Sequence, residues 1–226
     1  MLLMGGPADA ADPSEAEQTE QTEQTEQTEQ TEQTEQTERP AYSPYFTGAF
    51  VEYALRAGAS LATKAPYDGW HIDAGIRHSF PMLIGDLRLA YRFDRLTPTD
   101  ESTPGAIDQH GLGAYLAIHP GYLLLLGNDW LSYTLASVFV ELGAGARASV
   151  LERDDDAGYE TGFGPFSSLG AGVDMPLWDP DGGHAPWLNI VYRWHIADFD
   201  GARETYDIDM HVLQVGLGWR INGLLF

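Results

Sequence analysis

The chain of 226 residues contains no cysteine, which excludes both a disulfide framework and a thiolate metal site. Cationic side chains are scarce, with 12 Lys and Arg against 34 Asp and Glu. Nucleic-acid binding rewards a basic face that neutralises phosphates, so no nucleic-acid partner is expected. A long apolar run is also missing. The longest, Tyr122 to Leu126, falls far short of the eighteen or more residues of a spanning helix. If this chain crosses a membrane, it must do so as strands.

The formal charge of −22 is unevenly spread. Asp9, Asp12 and the nine Glu from Glu15 to Glu38 put 11 of the 34 acids into the first forty residues, where Arg39 is one of the 12 bases. Residues 41–226 therefore hold 23 acids and 11 bases, a net of −12. Residues 1–10 end in Gly5-Gly6-Pro7-Ala8-Asp9-Ala10, and Ala8-x-Ala10 has the small-residue pattern of a signal-peptide cleavage site. They read as the remnant of a secretory signal whose basic start lies upstream of Met1. Residues 11–41 contain Glu-Gln-Thr seven times from Glu17 to Thr37. With a charge at every third position and nothing apolar to bury, this segment cannot offset its ordering entropy. It is expected to be a disordered acidic tether, leaving 42–226 as the folded domain.

In that domain the side chains alternate with a period of two, the signature of strands. From Leu213 to Ile221, Leu213, Val215, Leu217, Trp219 and Ile221 face one way, and Gln214, Gly216, Gly218 and Arg220 the other. Seven further segments behave alike: 44–60, 70–80, 85–95, 109–119, 133–149, 163–178 and 187–196. Pro165 disturbs the start of the sixth, and the eighth is read as carrying a bulge near Val212-Leu213, where its phase shifts. Eight such strands are enough to close a sheet into a barrel.

Alternation does not say which face is inside. If the apolar face lies inside, the chain is a soluble, lipocalin-like barrel with a ligand cavity. Three features favour the inverse. Glycine crowds the charged face, including Gly48, Gly58, Gly111, Gly113, Gly143, Gly145, Gly216 and Gly218. It weakens strands but makes room in the narrow lumen of an eight-stranded barrel. The same face carries Arg56, Arg77, Arg88, Arg92, Arg147, Arg193 and Arg220 beside Glu52, Asp73, Asp86, Asp94, Glu141 and Asp174. That near balance predicts a buried ion-pair network, since an unpaired buried charge is costly; facing lipid, each Arg would cost about 2–4 kcal/mol. Finally, with alternate strands reversed, aromatics sort into two rims. Tyr45, Phe80, Tyr133, Trp178, Trp187 and Trp219 fall at one. Trp70, Tyr91, Phe93, Phe163, Trp194 and Tyr206 fall at the other. Such girdles belong at the two headgroup levels of a bilayer.

On strand number, face pattern and girdles, residues 44–226 resemble the small outer-membrane barrels of the OmpA, OmpX and OmpW type. The resemblance implies an all-β, eight-stranded, antiparallel up-and-down transmembrane barrel with a disordered N-terminal tail. It also implies a monomer in the bacterial outer membrane, with both termini in the periplasm and with the bilayer and lipopolysaccharide as its surroundings. In that family a terminal Phe, here Phe226, is read by the barrel-assembly machinery. Leu224 fits the accompanying apolar pattern, whereas Asn222 and Arg220 do not.

The same topology makes 61–69, 96–108, 150–162 and 198–205 the outer loops, the last three of them acidic. Solvated loops are the plain reading, and divalent-cation bridging to lipopolysaccharide the sharper one. Histidines on the charged face, taken as His71, His119, His195 and His211, raise the question of a lipid A acyl hydrolase or transferase sharing this architecture. No serine is placed by sequence beside such a base, so no catalytic residue, metal ligand or cofactor is assigned. The expected role is structural or surface-interacting, with a filled polar lumen. A narrow pore gated by Glu52, Asp73, Asp86 and the lumen arginines is the alternative.

Overall fold

A computed structural model describes residues 50–80, 84–101, 103, 105–126, 130–152, 158–177, 184–200 and 205–222. The signal remnant, the tether, Tyr45, Gly48, Trp178 and Phe226 lie outside the described residues. The strands are β1 (Phe50–Ala62), β2 (Tyr67–Ser79), β3 (Gly85–Pro98), β4 (Ile107–Ile118), β5 (Phe139–Glu152), β6 (Tyr159–Pro176), β7 (His184–Asp200), β8 (Thr205–Asp207) and β9 (Met210–Asn222). Each of β1 to β6 pairs antiparallel with the next, β6 pairs with β7, β7 with β9, and β9 with β1. The result is a closed, all-antiparallel, eight-stranded meander.

β8 is a short outward continuation of β9 along β7, matching Asp198 with Asp207 as His195 is matched with Met210. Between them the ladder is held by Ile208 N–H donating to Ala197 O at 2.9 Å and Ala197 N–H donating to the Asp209 carboxylate at 3.3 Å. The bulge expected near Val212-Leu213 is absent: β9 pairs without a break from Met210–Ala62 to Asn222–Phe50. Met210 and Val212 are inward residues that happen to be apolar. Pro165 sits within β6, opposite Ala146. It is tolerated because β7 joins β6 only from Phe166 onward, so Pro165 has one ladder partner strand rather than two.

The expected strand 133–149 begins instead at Phe139. Residues before it form a 3-10 helix (Tyr122–Leu126) and α1 (Trp130–Ala136), in the connection that leaves the barrel at the end where β1 begins and β9 ends. Thr134 Oγ1 donates to Trp130 O at 2.9 Å and Ser137 N–H to Tyr133 O at 3.1 Å, closing α1. A side chain on Gly121 would strike the Leu135 carbonyl at 2.7 Å, so glycine lets the two helical pieces lie together.

Candidate functional site

Where side chains are described, burial alternates along the wall strands, inward residues buried and outward ones exposed or half-exposed, although Val51 and Pro186 at outward positions are buried. Among the outward positions whose side chains are described, the Asp, Glu, Lys and Arg residues on the strands are Asp68, Arg95, Asp108, Glu152 and, on β8, Asp207, all at the end away from the start of β1 and the end of β9. Elsewhere the outer wall carries residues such as Leu55, Leu89, Leu112, Leu142 and Leu217, each more than half exposed. All thirteen charged residues assigned to the lumen are at most 5% exposed.

They assemble in layers. Nearest the start of β1 and the end of β9, Glu52 accepts from Arg220 at 2.5 Å and has Arg56 and Arg77 at 3.7 and 3.8 Å. Asp174 takes Arg77 at 2.6 Å, Arg220 at 2.5 Å and the Asn189 amide at 2.7 Å. Asp86 pairs with Arg77 at 3.2 Å and with His119 at 2.8 Å. In the middle, Asp73 accepts from Arg88 and lies 3.4 Å from Arg193, which also donates to Glu141 and to Gln214. The Tyr115 ring lies between Arg88 and Arg193, 4.7 and 4.6 Å from its centroid. Further out, Arg92 forks onto Asp94 at 2.5 and 2.6 Å, and Arg147 donates to Gln109 at 3.2 Å. Such sharing satisfies several donors at once, which a buried ion network requires if its desolvation is to be offset.

Apolar clusters close both ends. Tyr67, Leu96, Ile107, Leu151, Ile208, Met210 and Val212 fill the lumen at the loop end. At the other end Tyr133 and Ala136 of α1 pack with Phe50, Ala185 and Trp187. This corrects two of the expected interface aromatics. Trp187 shares the inward face with Asn189 and Arg193, and the Arg220 guanidinium lies 3.7 Å from its ring centroid. Tyr133 is on α1 and points into the barrel mouth. Trp70, Phe80, Tyr91, Phe93, Phe163, Trp194 and Trp219 do lie on the outer wall. The side chain of Tyr206 is outside the described set.

Phe50 and Tyr115 fall on the charged face by their period-two parity and are buried there, whereas sequence reasoning missed the lumen aromatics Phe139 and Phe166. The signal for lumen aromatics is the opposing glycines: a Cβ on Gly143 would collide with Tyr115, and one on Gly172 would meet Phe139 at 2.6 Å. Also missed were outward histidines inside the aromatic rims. Tyr91 Oη and His110 Nδ1 are 2.6 Å apart, as are Tyr192 Oη and His211 Nδ1 at 2.5 Å. His211 therefore belongs to the outer wall and not to the lumen. His71 is buried with Ser60 Oγ 3.4 Å from its Nδ1, and Ser60 donates to Asp94 at 3.3 Å. The enclosed space beside these groups, between Arg92, Asp94, Gln109, Arg147 and His195, is about 10 Å³. That is roughly one water-sized void, too small for an acyl chain or a sugar. Among the described residues no group of three His, Asp or Glu side chains is placed to hold a metal.

At the loop end Lys64 reaches Asp207 at 2.5 Å and Asp209 at 2.9 Å, tying the β1–β2 turn to β8 and β9. These hydrogen bonds raise the Lys64 pKa above its ordinary value, and Lys64 lowers that of Asp207. Arg95 bridges Asp108 at 3.1 Å and Glu152 at 3.8 Å.

Fold and side-chain placement together define a small, closed, inside-out barrel, apolar outside and charged within. No protein-family model matches the sequence, and no curated protein does. Among solved structures, the chain is similar to Neisserial surface protein A (15% identity, 78% of this chain and 99% of that one, TM-score 0.44). It is also similar to Ail, the attachment invasion locus protein of Yersinia pestis, in complex with the heparin analogue sucrose octasulfate (10%, 77% and 99%, 0.47). A third similarity is to the N-terminal β-barrel domain of Pseudomonas aeruginosa OprF (11%, 76% and 97%, 0.38). Identities this low leave function to be argued from the barrel's own residues.

Proposed function

We propose that this chain is an integral outer-membrane barrel with a sealed lumen, monomeric, and structural or surface-interacting in role. The observation that carries the reading is the segregation of charge: thirteen ionic side chains are buried in the lumen, while the outer wall between its two aromatic rims is free of Asp, Glu, Lys and Arg among the described residues. In water this arrangement would expose the whole apolar face and bury the costly one; in hydrocarbon both faces are satisfied. Acidic and basic groups at the loop end would then meet the lipopolysaccharide layer, with the termini in the periplasm and Phe226 available to the barrel-assembly machinery.

The filled lumen and its two apolar ends favour a sealed barrel over the gated pore. They also disfavour a lipid A-modifying enzyme, because Ser60, His71 and Asp94 lie behind the loop-end apolar cluster, and the space beside them among the described residues is about 10 Å³. Reconstitution in planar bilayers tests this. A sealed barrel gives no stable conductance steps, whereas discrete steps abolished by changes at Glu52 or Asp86 would establish the pore instead.

A further inference from the structure

The connection between β4 and β5 is unlike a tight turn. Its 3-10 helix and α1 present one side to the barrel and another to the surroundings. Tyr133, Thr134, Ala136 and Ser137 are buried, and Trp130 Nε1 donates to the Pro176 carbonyl at the end of β6 at 2.9 Å, fixing the piece against the rim. On the other side Leu123, Leu124, Trp130, Leu131 and Leu135 are between 44% and 63% exposed. Among the described residues between His119 and Val138 none is charged.

We propose that this helical cap is a foot that inserts into the bilayer interface at the terminus end of the barrel, covering its exposed leucines with lipid while its inner side stoppers the lumen. The proposal rests on the membrane-spanning reading above. What identifies lipid as the occupant is continuity. The foot is flanked in sequence by Ile118 and Val138, outward wall residues at the ends of β4 and β5, with Val140 and Leu116 next to them and Leu177 beyond Pro176, all exposed. Among the described residues the apolar surface of the wall therefore runs onto the foot without a charged border. The Glu-Gln-Thr repeat from Glu17 to Thr37 has no aliphatic or aromatic residue to lay on it. Short apolar helices bearing Trp and Leu settle at the headgroup and acyl-chain boundary. This one needs no basic residues to reach it, since the barrel already holds it there. Two consequences follow: the foot fixes the height of the barrel in the membrane, and lipid contact helps keep Tyr133 seated in the lumen.

Because the chain has no cysteine, single-cysteine labelling tests this on the full-length protein. Leu131→Cys on the foot, Leu217→Cys on the outer wall and Glu101→Cys in a loop would each carry an environment-sensitive fluorophore in phospholipid vesicles, and be challenged with shallow spin-labelled lipid and with iodide. The expected result is blue-shifted emission and lipid quenching at 131 and 217, with iodide quenching confined to 101. If 217 is quenched by lipid but 131 behaves like 101, the foot is in water and the proposal is overturned while the spanning barrel stands. If 131 is shielded from both quenchers, a protein surface covers it and lipid is the wrong occupant. If 217 itself is not quenched by lipid, the spanning reading fails and takes the foot with it.

Discussion

Arg56 and Leu55 are neighbours on β1, yet one is 1% exposed and the other 60%. The same contrast repeats along the wall, and it reverses the usual partition of a soluble domain, where apolar residues fill the interior. The two faces are held by different physics. Inside, stability depends on pairing, because each buried charge is costly until several partners share it. Outside, there is almost nothing to pair, and the requirement is only that no polar group meets hydrocarbon. The two lumen ends differ as well: the loop end is stoppered by residues of the strands and by Ile208 between β8 and β9, the other end by strand residues together with an inserted helix.

The sharpest way to break the comparison is to remove a charge inside. Glu52→Gln leaves Arg220, Arg56 and Arg77 short of an anion, and is expected to cost about 3–5 kcal/mol in urea unfolding of the lipid-reconstituted protein. Adding a charge outside should cost somewhat less. Leu217→Arg, midway along β9, is expected to lose about 2–4 kcal/mol in the same assay, and a neutral effect there would mean that this wall does not face lipid.

Smaller still is the effect of filling the glycine space. Gly143→Val drives a side chain into Tyr115, with an expected cost of about 1–3 kcal/mol from overpacking. Combining it with Tyr115→Ala should give a loss smaller than the sum of the two singles. The weakest effect lies outside the membrane, in the Lys64 clip. Asp207 is held below the ordinary carboxylate range, so its contribution is present at neutral pH and fades as pH falls through that depressed value. Lys64 is raised, so its own contribution is present below the ordinary lysine value and fades only as pH rises through the higher one. Lys64→Gln is expected to speed hydrogen exchange at the Thr63 amide, which donates to Asp209 O at 2.8 Å, relative to the parent chain at the same neutral pH. Global unfolding should not move.

Much of this was readable in the residues, because a strand's period of two survives almost any local irregularity. The strand count, the closed barrel and the two faces follow from it. Where the reading failed, a second pattern had been laid over the first. Aromatics were sorted by height along the strands and not by face, which placed Trp187 on the rim although its parity with Asn189 and Arg193 pointed inward. Apolar Met210 and Val212 suggested a phase shift because the lumen was taken to be polar throughout; its ends are not, and His211 was misplaced as a result. α1 was hidden for a different reason. Seven residues make about two helical turns, too few for a 3.6-residue period to show, so Tyr133 was absorbed into the strand that follows. Layering of the ion pairs depends on cross-barrel distances, such as Arg220 to Glu52, which no local spacing encodes.

The most direct test of the inside-out barrel is its migration in SDS before and after boiling, once folded in detergent. A closed membrane barrel should run as a compact band that shifts only on heating. A chain that stays soluble without detergent and shows no shift would contradict the account, and its apolar face would then have to line a cavity.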